Sequence, residues 1–386
     1  MRTTRSRSGI TPALALGAGL PLLLATPSPR AFAAGVETPL RVVGLRTEYK
    51  ENPLGIDARS PRLSWRIESQ GRGVVQSAYE IRVAGTEPGL QSKGERVWES
   101  GKVASDESIQ RAYGGPALQS GRRYCWQVRV WNGGGKASAW STPAWWEMGL
   151  LSPSDWKASW IEPGLPEDVT TSGPVPMLRR EFKLGGAVER ARAYVTSHGL
   201  YEMYLNGRRV GDAVFTPGWT SYNKRLQYQT YDVTALLQAG ANAVGVELGN
   251  GWYRGNLPGG INRRNVYGER LALLLQLEVT YKDGRKEIVG TDPGWKVATG
   301  PILLSEIYHG ETYDARLEKP GWTAPGFDDR GWSAVQVASA RRSCVSVVAY
   351  LPMSCEIESL FSELVVQTPT GSSPYGVWPF GCPASI

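Results

Sequence analysis

The sequence is poor in histidine, cysteine and phenylalanine, and its excess of positive charge is small. Two histidines, His198 and His309, are too few for a metal site built from several imidazoles. The four cysteines include no C-x-x-C pair, which argues against a cysteine zinc site, thioredoxin-type chemistry and a disulfide framework. The apolar stretch at residues 13–25 is short and contains Pro21, so it does not predict a membrane-spanning helix.

The chain is rich in tryptophan, tyrosine, glycine and proline. Fifteen Trp and 17 Tyr accompany 46 Gly and 26 Pro in 386 residues. This composition is typical of β-sandwich modules with many turns, and the length allows two or three domains. A disordered chain or a coiled coil is excluded, because 41% of the residues are hydrophobic and only 20% are charged.

The first 33 residues have the pattern of a signal peptide. Arg2, Arg5 and Arg7 precede the apolar stretch, and Ala31-Phe32-Ala33 fits a small-x-small cleavage site. We therefore expect a secreted protein that has no membrane attachment after cleavage. Removing the peptide also takes away Arg30 and lowers the formal net charge from +7 to about +3, so nothing indicates nucleic-acid binding.

Residues 39–151 are predicted to form a first β-sandwich. Apolar and polar residues alternate in three segments, at 63–67, 79–83 and 124–130, as expected for strands that bury one face. Pro61-Arg62-Leu63-Ser64-Trp65, the later Tyr124-x-Trp126-x-Val128-x-Val130 and Trp140-Ser141 resemble a fibronectin type III module. The aromatic residues of these segments are expected in the core.

Residues 152–176 are interpreted as a linker and residues 177–338 as a second, jelly-roll-like sandwich. Prolines at 163, 166, 174 and 176 disfavour a helix or a central strand in the linker. In the second unit, Asn206-Gly207 predicts a hairpin turn, and alternation at 273–281 predicts a half-buried strand that Asp283-Gly284 ends. Between them, residues 232–240 are predicted to form one or two helical turns, with Asp232 as N-cap and Gly240 as C-cap.

The last segment, residues 339–386, differs from the rest in composition. It holds three of the four cysteines, Cys344, Cys355 and Cys382, and one of the fifteen tryptophans. Its charged residues number 5 in 48, about half the frequency of the whole chain. Two explanations are open: a reading frame that is wrong after about residue 339, and an ordinary C-terminal extension. The change in composition favours the first.

Motifs for common chemistries are scarce. There is no G-x-S-x-G elbow, no Walker pattern and no H-E-x-x-H. Paired carboxylates remain, since a glycosidase needs only two acids that flank a sugar. The candidates are Glu306, Glu311, Asp314 and the Asp328-Asp329 pair, although turn carboxylates in a loop explain them more simply. We therefore assign no catalytic residue and no metal ligand, and calcium has no supporting motif.

Two loops rich in aromatic and amide residues are the candidate binding site. They are Thr216-Pro-Gly-Trp-Thr-Ser-Tyr-Asn-Lys-Arg225 and Gly249-Asn-Gly-Trp-Tyr-Arg-Gly255. Aromatic faces stack on sugar C–H groups, while Asn and Arg donate hydrogen bonds to hydroxyls. The candidate saccharide-binding residues are Trp219, Tyr222, Asn250, Trp252, Tyr253 and Arg254. The alternative is that Trp219 and Trp252 fill the sandwich or an interdomain seam.

These loops also carry a family resemblance. Together with Tyr204-Leu-Asn-Gly207, Tyr231-Asp-Val-Thr234 and Gly310-Glu-Thr-Tyr-Asp-Ala-Arg316, they resemble the amino-terminal, non-catalytic region of bacterial α-L-rhamnosidases of glycoside hydrolase family 78. The resemblance runs from about Pro39 to Ala338 and includes Val97-Trp-Glu-Ser-Gly-Lys-Val103 of the first sandwich.

The resemblance implies a secreted enzyme that removes terminal α-L-rhamnose from glycosides or polysaccharides with inversion. One carboxylic acid would protonate the leaving oxygen and a second carboxylate would activate water, both in a carboxy-terminal (α/α)6 barrel. No segment of this sequence has the paired amphipathic helices of that barrel. The chain alone is therefore expected to be inactive. A free-standing secreted carbohydrate-binding protein and a scaffold that binds nothing remain as alternatives.

Overall fold

A computed structural model of the protein describes residues 40–259 and 263–338. The signal peptide and the atypical tail at 339–386 lie outside these residues, so the predictions for them stay predictions. The described chain is almost entirely β-structure, which confirms the expected all-β class. It forms two consecutive β-sandwiches, and no helix in it is long and apolar enough to cross a membrane.

The first sandwich consists of a three-stranded and a five-stranded antiparallel sheet. The smaller sheet has the order β1-β2-β6, and the larger has the order β4-β3-β7-β8 with β5 paired to β3. The strands are β1 Arg41–Thr47, β2 Arg62–Glu68, β3 Gln76–Ala84, β4 Arg96–Glu99, β5 Val103–Ala104, β6 Arg111–Ala112, β7 Arg123–Asn132 and β8 Ala144–Glu147. Short 3-10 helices lie at Pro88–Leu90 and Lys93–Glu95.

Aromatic side chains fill the first core, as the alternation predicts. Trp65 meets Tyr79 edge-on with ring centroids 5.2 Å apart, and Tyr124 stacks on Trp146 at 5.6 Å. Trp65 donates its indole N–H to Gln76 Oε1 over 3.1 Å, which satisfies a polar group that burial would otherwise leave without a partner. The predicted core role of these aromatic residues is confirmed.

The second sandwich packs two six-stranded sheets face to face. One sheet has the order β13-β12-β15-β10-β18-β21; the other has the order β14-β11-β16-β9-β22, with β17 paired to β16. The strands are β9 Ile161–Glu162, β10 Pro176–Leu184, β11 Val188–His198, β12 Leu200–Leu205, β13 Arg208–Arg209, β14 Gln229–Asp232, β15 Gly240–Gly249, β16 Ala272–Tyr281, β17 Lys286–Gly290, β18 Lys296–Thr299, β21 Ser333–Ala334 and β22 Gln336–Val337.

A separate hairpin and a few short helices complete the second sandwich. The hairpin pairs β19 Ile302–Glu306 with β20 Gly310–Tyr313. The helix α1 spans Gly251–Arg254, and 3-10 helices lie at Pro153–Asp155, Thr234–Leu236 and Ala315–Leu317. The core between the two sheets is aliphatic, formed by residues such as Leu178, Val195, Met203, Val246, Leu275 and Val297.

The predicted hairpin turn at Asn206-Gly207 is confirmed. Both residues have positive φ, 50° and 81°, which matches the type I′ geometry that joins strands with the natural twist. The strand predicted at 273–281 is also confirmed as β16. The prediction that it is half-buried is wrong for its first half, which is buried on both faces. The segment around Lys157 covers the outer face there and donates a backbone N–H to Gln276 Oε1 over 2.5 Å.

Two predictions differ from the structure. Residues 232–240 contain a single 3-10 turn, and Gly240 begins β15 instead of capping a helix. Asp232 accepts hydrogen bonds from the Thr234 amide and hydroxyl, which is a local Asx turn. The segment 152–176 is not only a spacer, because β9 within it pairs with β16 and β22 in the second sandwich.

A buried ion cluster joins the two sandwiches. Glu147, at the end of β8, is fully buried and accepts hydrogen bonds from Arg192 of β11 at 2.7 and 3.1 Å. Arg123 and Arg190 approach the same carboxylate at 3.3 and 3.4 Å. Because a buried carboxylate is stable only when it is well paired, and its two shortest hydrogen bonds come from Arg192, Glu147 is fully satisfied only with the second sandwich in place.

We predict that Glu147→Gln lowers the free energy of unfolding by about 3 kcal/mol, since Arg192 loses its buried counter-charge and keeps only the half-exposed Asp232, 2.9 Å away. The measurement is the urea midpoint of the purified chain. Glu68→Gln is the control, because the Arg41–Glu68 pair lies on the surface and its loss should leave the midpoint unchanged. Equal midpoints for Glu147→Gln and the parent chain would contradict the role given to the cluster.

Candidate functional site

The two candidate loops meet at one surface of the second sandwich. Trp219 and Trp252 stack there almost in parallel, with ring centroids 5.6 Å apart and an interplanar angle of 7°. Phe215 packs against Trp252 at 5.8 Å, and Tyr308 reaches the same ring from the β19–β20 turn. We call Phe215, Trp219, Trp252 and Tyr308 the aromatic patch. About half of the Phe215, Trp219 and Tyr308 side chains is exposed.

Hydrogen bonds hold both indoles of the patch in a fixed orientation. Trp219 donates its Nε1–H to the Tyr267 hydroxyl over 3.1 Å. Trp252 donates its Nε1–H to the Tyr308 hydroxyl over 3.2 Å. The rings therefore form a pre-organised apolar platform of the kind that stacks on sugar C–H groups.

Glycine geometry explains the sequence of the 249–255 loop. Gly251 has a φ of +54°, and a Cβ on it would lie 2.5 Å from Leu200 Cγ. A Cβ on Gly255 would lie 2.4 Å from the carbonyl oxygen of Gly251. These glycines let β15 turn sharply into α1, which places Trp252 on the patch. Their role is therefore in backbone packing.

A buried polar network lies beneath the patch. Asn250 donates to Glu306 Oε1 and to Ser172 Oγ, both over 3.0 Å, and accepts from Arg254 Nε at 2.8 Å. Arg254 also pairs with Glu167 at 2.6 Å. Asn250 and Arg254 are thus hydrogen-bonded to neighbouring side chains in the loop that presents Trp252, and their role in sugar binding stays a prediction.

Glu306 is the charged centre of this network. Burial acts to raise its pKa, but hydrogen bonds from Arg264, the Asn256 amide and Asn250 outweigh burial, and the pKa lies below its usual value. A carboxylate held ionised in this way is a poor proton donor, so Glu306 is not suited to general-acid catalysis. Its structural role fits the simpler interpretation given to the loop carboxylates.

Tyr253 and Tyr222 belong to a buried aromatic stack. Tyr253 lies parallel to His198 at 4.5 Å, and Trp160 covers the other side of the imidazole at 4.5 Å. Tyr222 meets Tyr253 edge-on and donates its hydroxyl to the Gly218 carbonyl over 2.7 Å. Burial lowers the pKa of His198 to about 4, so this histidine is neutral near pH 7.

The structure thus brings the six predicted site residues together but divides them by role. Trp219 and Trp252 lie at the surface, while Tyr222, Asn250, Tyr253 and Arg254 are buried beneath it. Among the other acids, Asp314 and Asp328 bond the Arg316 and Arg330 guanidinium groups in turns, and Asp329 pairs with Arg179 and Lys296. Their positions agree with the interpretation as turn carboxylates. Among residues 40–259 and 263–338, no three His, Cys, Asp or Glu side chains are arranged to hold a metal ion.

Comparison with known proteins matches both sandwiches to one family. Residues 42–152 match the Rha78A-like N-terminal immunoglobulin domain, and residues 186–355 match the alpha-L-rhamnosidase N-terminal domain. An α-L-rhamnosidase of Streptomyces avermitilis is 34% identical over 78% of this chain and 45% of its own length. One from Formosa agariphila is 43% identical over 75% of this chain and 32% of its own length.

The chain contains the amino-terminal domains of the α-L-rhamnosidase family, glycoside hydrolase family 78. Solved structures of α-L-rhamnosidases agree. That of the Streptomyces avermitilis enzyme complexed with L-rhamnose has a TM-score of 0.74 and 33% identity, covering 80% of this chain and 46% of that one. That of the Aspergillus terreus enzyme has a TM-score of 0.71 and 39% identity, covering 78% and 34%.

The matched ranges differ in part from the range of the resemblance predicted from the sequence. The chain spans less than half the length of these α-L-rhamnosidases. The match to the second rhamnosidase domain continues to residue 355, beyond residue 338 at which the sequence resemblance was expected to stop. The first rhamnosidase domain is immunoglobulin-like.

Sequence reasoning missed the residues that support the patch from a distance. Glu167 and Arg264, which pair with Arg254 and Glu306, lie 87 and 42 residues from their partners. No local pattern announces such a pair. Arg254 was the available signal, because an arginine in an aromatic loop with no acidic neighbour in sequence needs an acidic partner from elsewhere in the chain.

We predict that Glu306→Gln lowers the free energy of unfolding at pH 7 by about 2–3 kcal/mol, because Arg264 and two amides lose a charged acceptor. The folded pKa lies below the unfolded value, so this stability is present above about pH 4.5 and is lost as the pH falls through the folded pKa. Urea unfolding of both proteins at pH 7 and pH 3.5 measures the change. A difference that is the same at both pH values would count against an ionised Glu306.

Proposed function

We propose that the whole protein is a secreted α-L-rhamnosidase that releases terminal α-L-rhamnose from glycosides or polysaccharides with inversion. The observation that carries this proposal is the succession of two rhamnosidase amino-terminal domains in one chain, at 34–43% identity to enzymes of that name. Secretion is supported by the basic, apolar and small-x-small pattern of residues 1–33. Within this proposal, the first sandwich is of the fibronectin type III subtype.

Catalysis is proposed to lie outside the described residues. The α-helix among them, α1, has four residues, whereas the family's acid and base stand in a helical barrel. Of the loop carboxylates, Glu306 is held ionised, and Asp314, Asp328 and Asp329 are bound to basic side chains. The described region is proposed to contribute binding, with the aromatic patch as the surface on which rhamnose-containing saccharides stack.

We expect no release of 4-nitrophenol from 4-nitrophenyl α-L-rhamnoside by this chain, because Glu306, Asp314, Asp328 and Asp329 are bound to basic side chains and the family's acid and base pair stands in the helical barrel. The absorbance of the free phenol at neutral pH gives the measurement. Release above the uncatalysed rate, in a preparation checked for contaminating enzymes by a mock purification, would place the catalytic pair within this chain.

We expect the chain to bind L-rhamnose or rutinose saturably, and Trp252→Ala to weaken that binding by about tenfold, since a stacked indole contributes about 1.4 kcal/mol. Isothermal titration calorimetry measures the affinity, and the urea midpoint shows that the variant is folded. Trp131→Ala is the matched control, because this half-buried indole lies in the first sandwich under Lys102, away from the patch. Unchanged affinity in Trp252→Ala would favour a scaffold role for the patch.

A further inference from the structure

A groove of about 800 Å³ lies beside the aromatic patch, on the outer face of the sheet that contains β12, β15 and β10. The β19–β20 hairpin and the segment 318–323 close its sides. Phe215 lines one end of the groove and also belongs to the patch, so the two surfaces are continuous. The volume falls within the range of small-molecule sites.

Strand register places one carboxylate at the floor of the groove. Glu247 of β15 is paired with Glu202 of β12 on one side and with Met177 of β10 on the other. Its neighbours Val246 and Leu248 point into the core, so the Glu247 side chain projects outward, where Glu202 and Glu311 face it. Glu247 is the one ionisable residue of this strand, and its side chain faces the groove instead of the core.

The two facing acids of the paired strands differ in their partners. Glu202 accepts hydrogen bonds from the Tyr204 hydroxyl at 3.0 Å and from Arg209 at 3.3 Å. No described residue donates a hydrogen bond to the carboxylate of Glu247. Burial, together with the charges of Glu202 and Glu311, raises the pKa of Glu247 to about 7. Near neutral pH this carboxyl group therefore both donates and accepts hydrogen bonds.

Aromatic rings form the walls around Glu247. Trp322 meets Tyr204 edge-on with ring centroids 6.1 Å apart, and Tyr313, half exposed, is held by its hydrogen bond to Glu318 at 2.8 Å. A Cβ on Gly245 would lie 2.5 Å from the Trp322 ring, so glycine at this position lets the indole lie flat on the sheet. The rings are thus built into the groove by the fold.

We propose that this groove binds a neutral saccharide chain, with Glu247 hydrogen-bonded to a sugar hydroxyl and Tyr204, Tyr313 and Trp322 in contact with the sugar rings. Continuity with the patch through Phe215 means that a disaccharide gains contacts that a monosaccharide lacks. A metal ion is a poorer occupant, since no three acids among the described residues converge as ligands. The inference rests on the proposed function only for the choice of a rhamnose-containing probe.

The test is calorimetric titration of the full chain with rutinose, a disaccharide that ends in α-L-rhamnose, and with cellobiose. Glu247→Gln keeps the shape of the side chain and relieves its repulsion from Glu202 and Glu311, so the variant should fold. We expect it to bind rutinose at least tenfold more weakly than the parent chain, because an amide replaces the ionisable carboxyl group, whose hydrogen bonds to a hydroxyl are stronger. Glu202→Gln is the matched control and should change the affinity less than threefold, because that acid already has its partners.

Each outcome has a defined meaning. Rutinose binding that is unaffected by Glu247→Gln, or no saturable binding of either sugar at millimolar concentration, would overturn the groove as a saccharide site. Binding of cellobiose alone, lost in Glu247→Gln, would retain the groove and remove support for the rhamnose specificity of the proposed function. Weakening by Trp252→Ala alone would assign binding to the aromatic patch and overturn the groove.

Discussion

The placement of the two sandwiches depends on the desolvated charge of Glu147. A carboxylate with no exposed surface is tolerable only because arginines surround it, and two of them, Arg190 and Arg192, belong to the other sandwich. Close backbone contacts reinforce the seam. Leu150 donates its amide to the Tyr228 hydroxyl over 2.6 Å, and a Cβ on Gly149 would lie 2.2 Å from that oxygen. The joint is therefore a specific interface whose geometry is set by residues on both sides.

Strand β15 organises the surface of the second sandwich in a similar way. Its inward residues fill the aliphatic core, its end turns through Gly251 to present Trp252, and its outward Glu247 lies in the adjoining groove. The floor of the groove is consequently part of the sheet, and Trp252 of the patch lies just beyond the end of a sheet strand, while Phe215, Trp219 and Tyr308 reach the patch from loops. A binding surface supported by a sheet loses little conformational entropy when a ligand arrives.

Sequence patterns predicted the strands and turns, which depend on near neighbours. They could not predict side-chain partners that are far apart in the sequence. Alternation located the strands around Trp65 and Leu275, and Asn206-Gly207 located a hairpin, because these signals act between near neighbours. Asn250 and Arg254 looked like sugar ligands since their loop is polar and aromatic, yet they bond to Glu306 and Glu167. The prolines of residues 152–176 indicated a linker, but they do not prevent Ile161 from pairing with Leu273 in a sheet of the second sandwich.

The ion cluster at the seam also bears on how such a chain can be assembled by gene rearrangement. Modules joined by a flexible tether can be shuffled between proteins, since neither module depends on the other. A first sandwich recombined into another protein would carry Glu147 without Arg190 and Arg192, and Arg123 alone would remain to compensate its charge. The two sandwiches are thus constrained to be inherited together, as one unit of exchange.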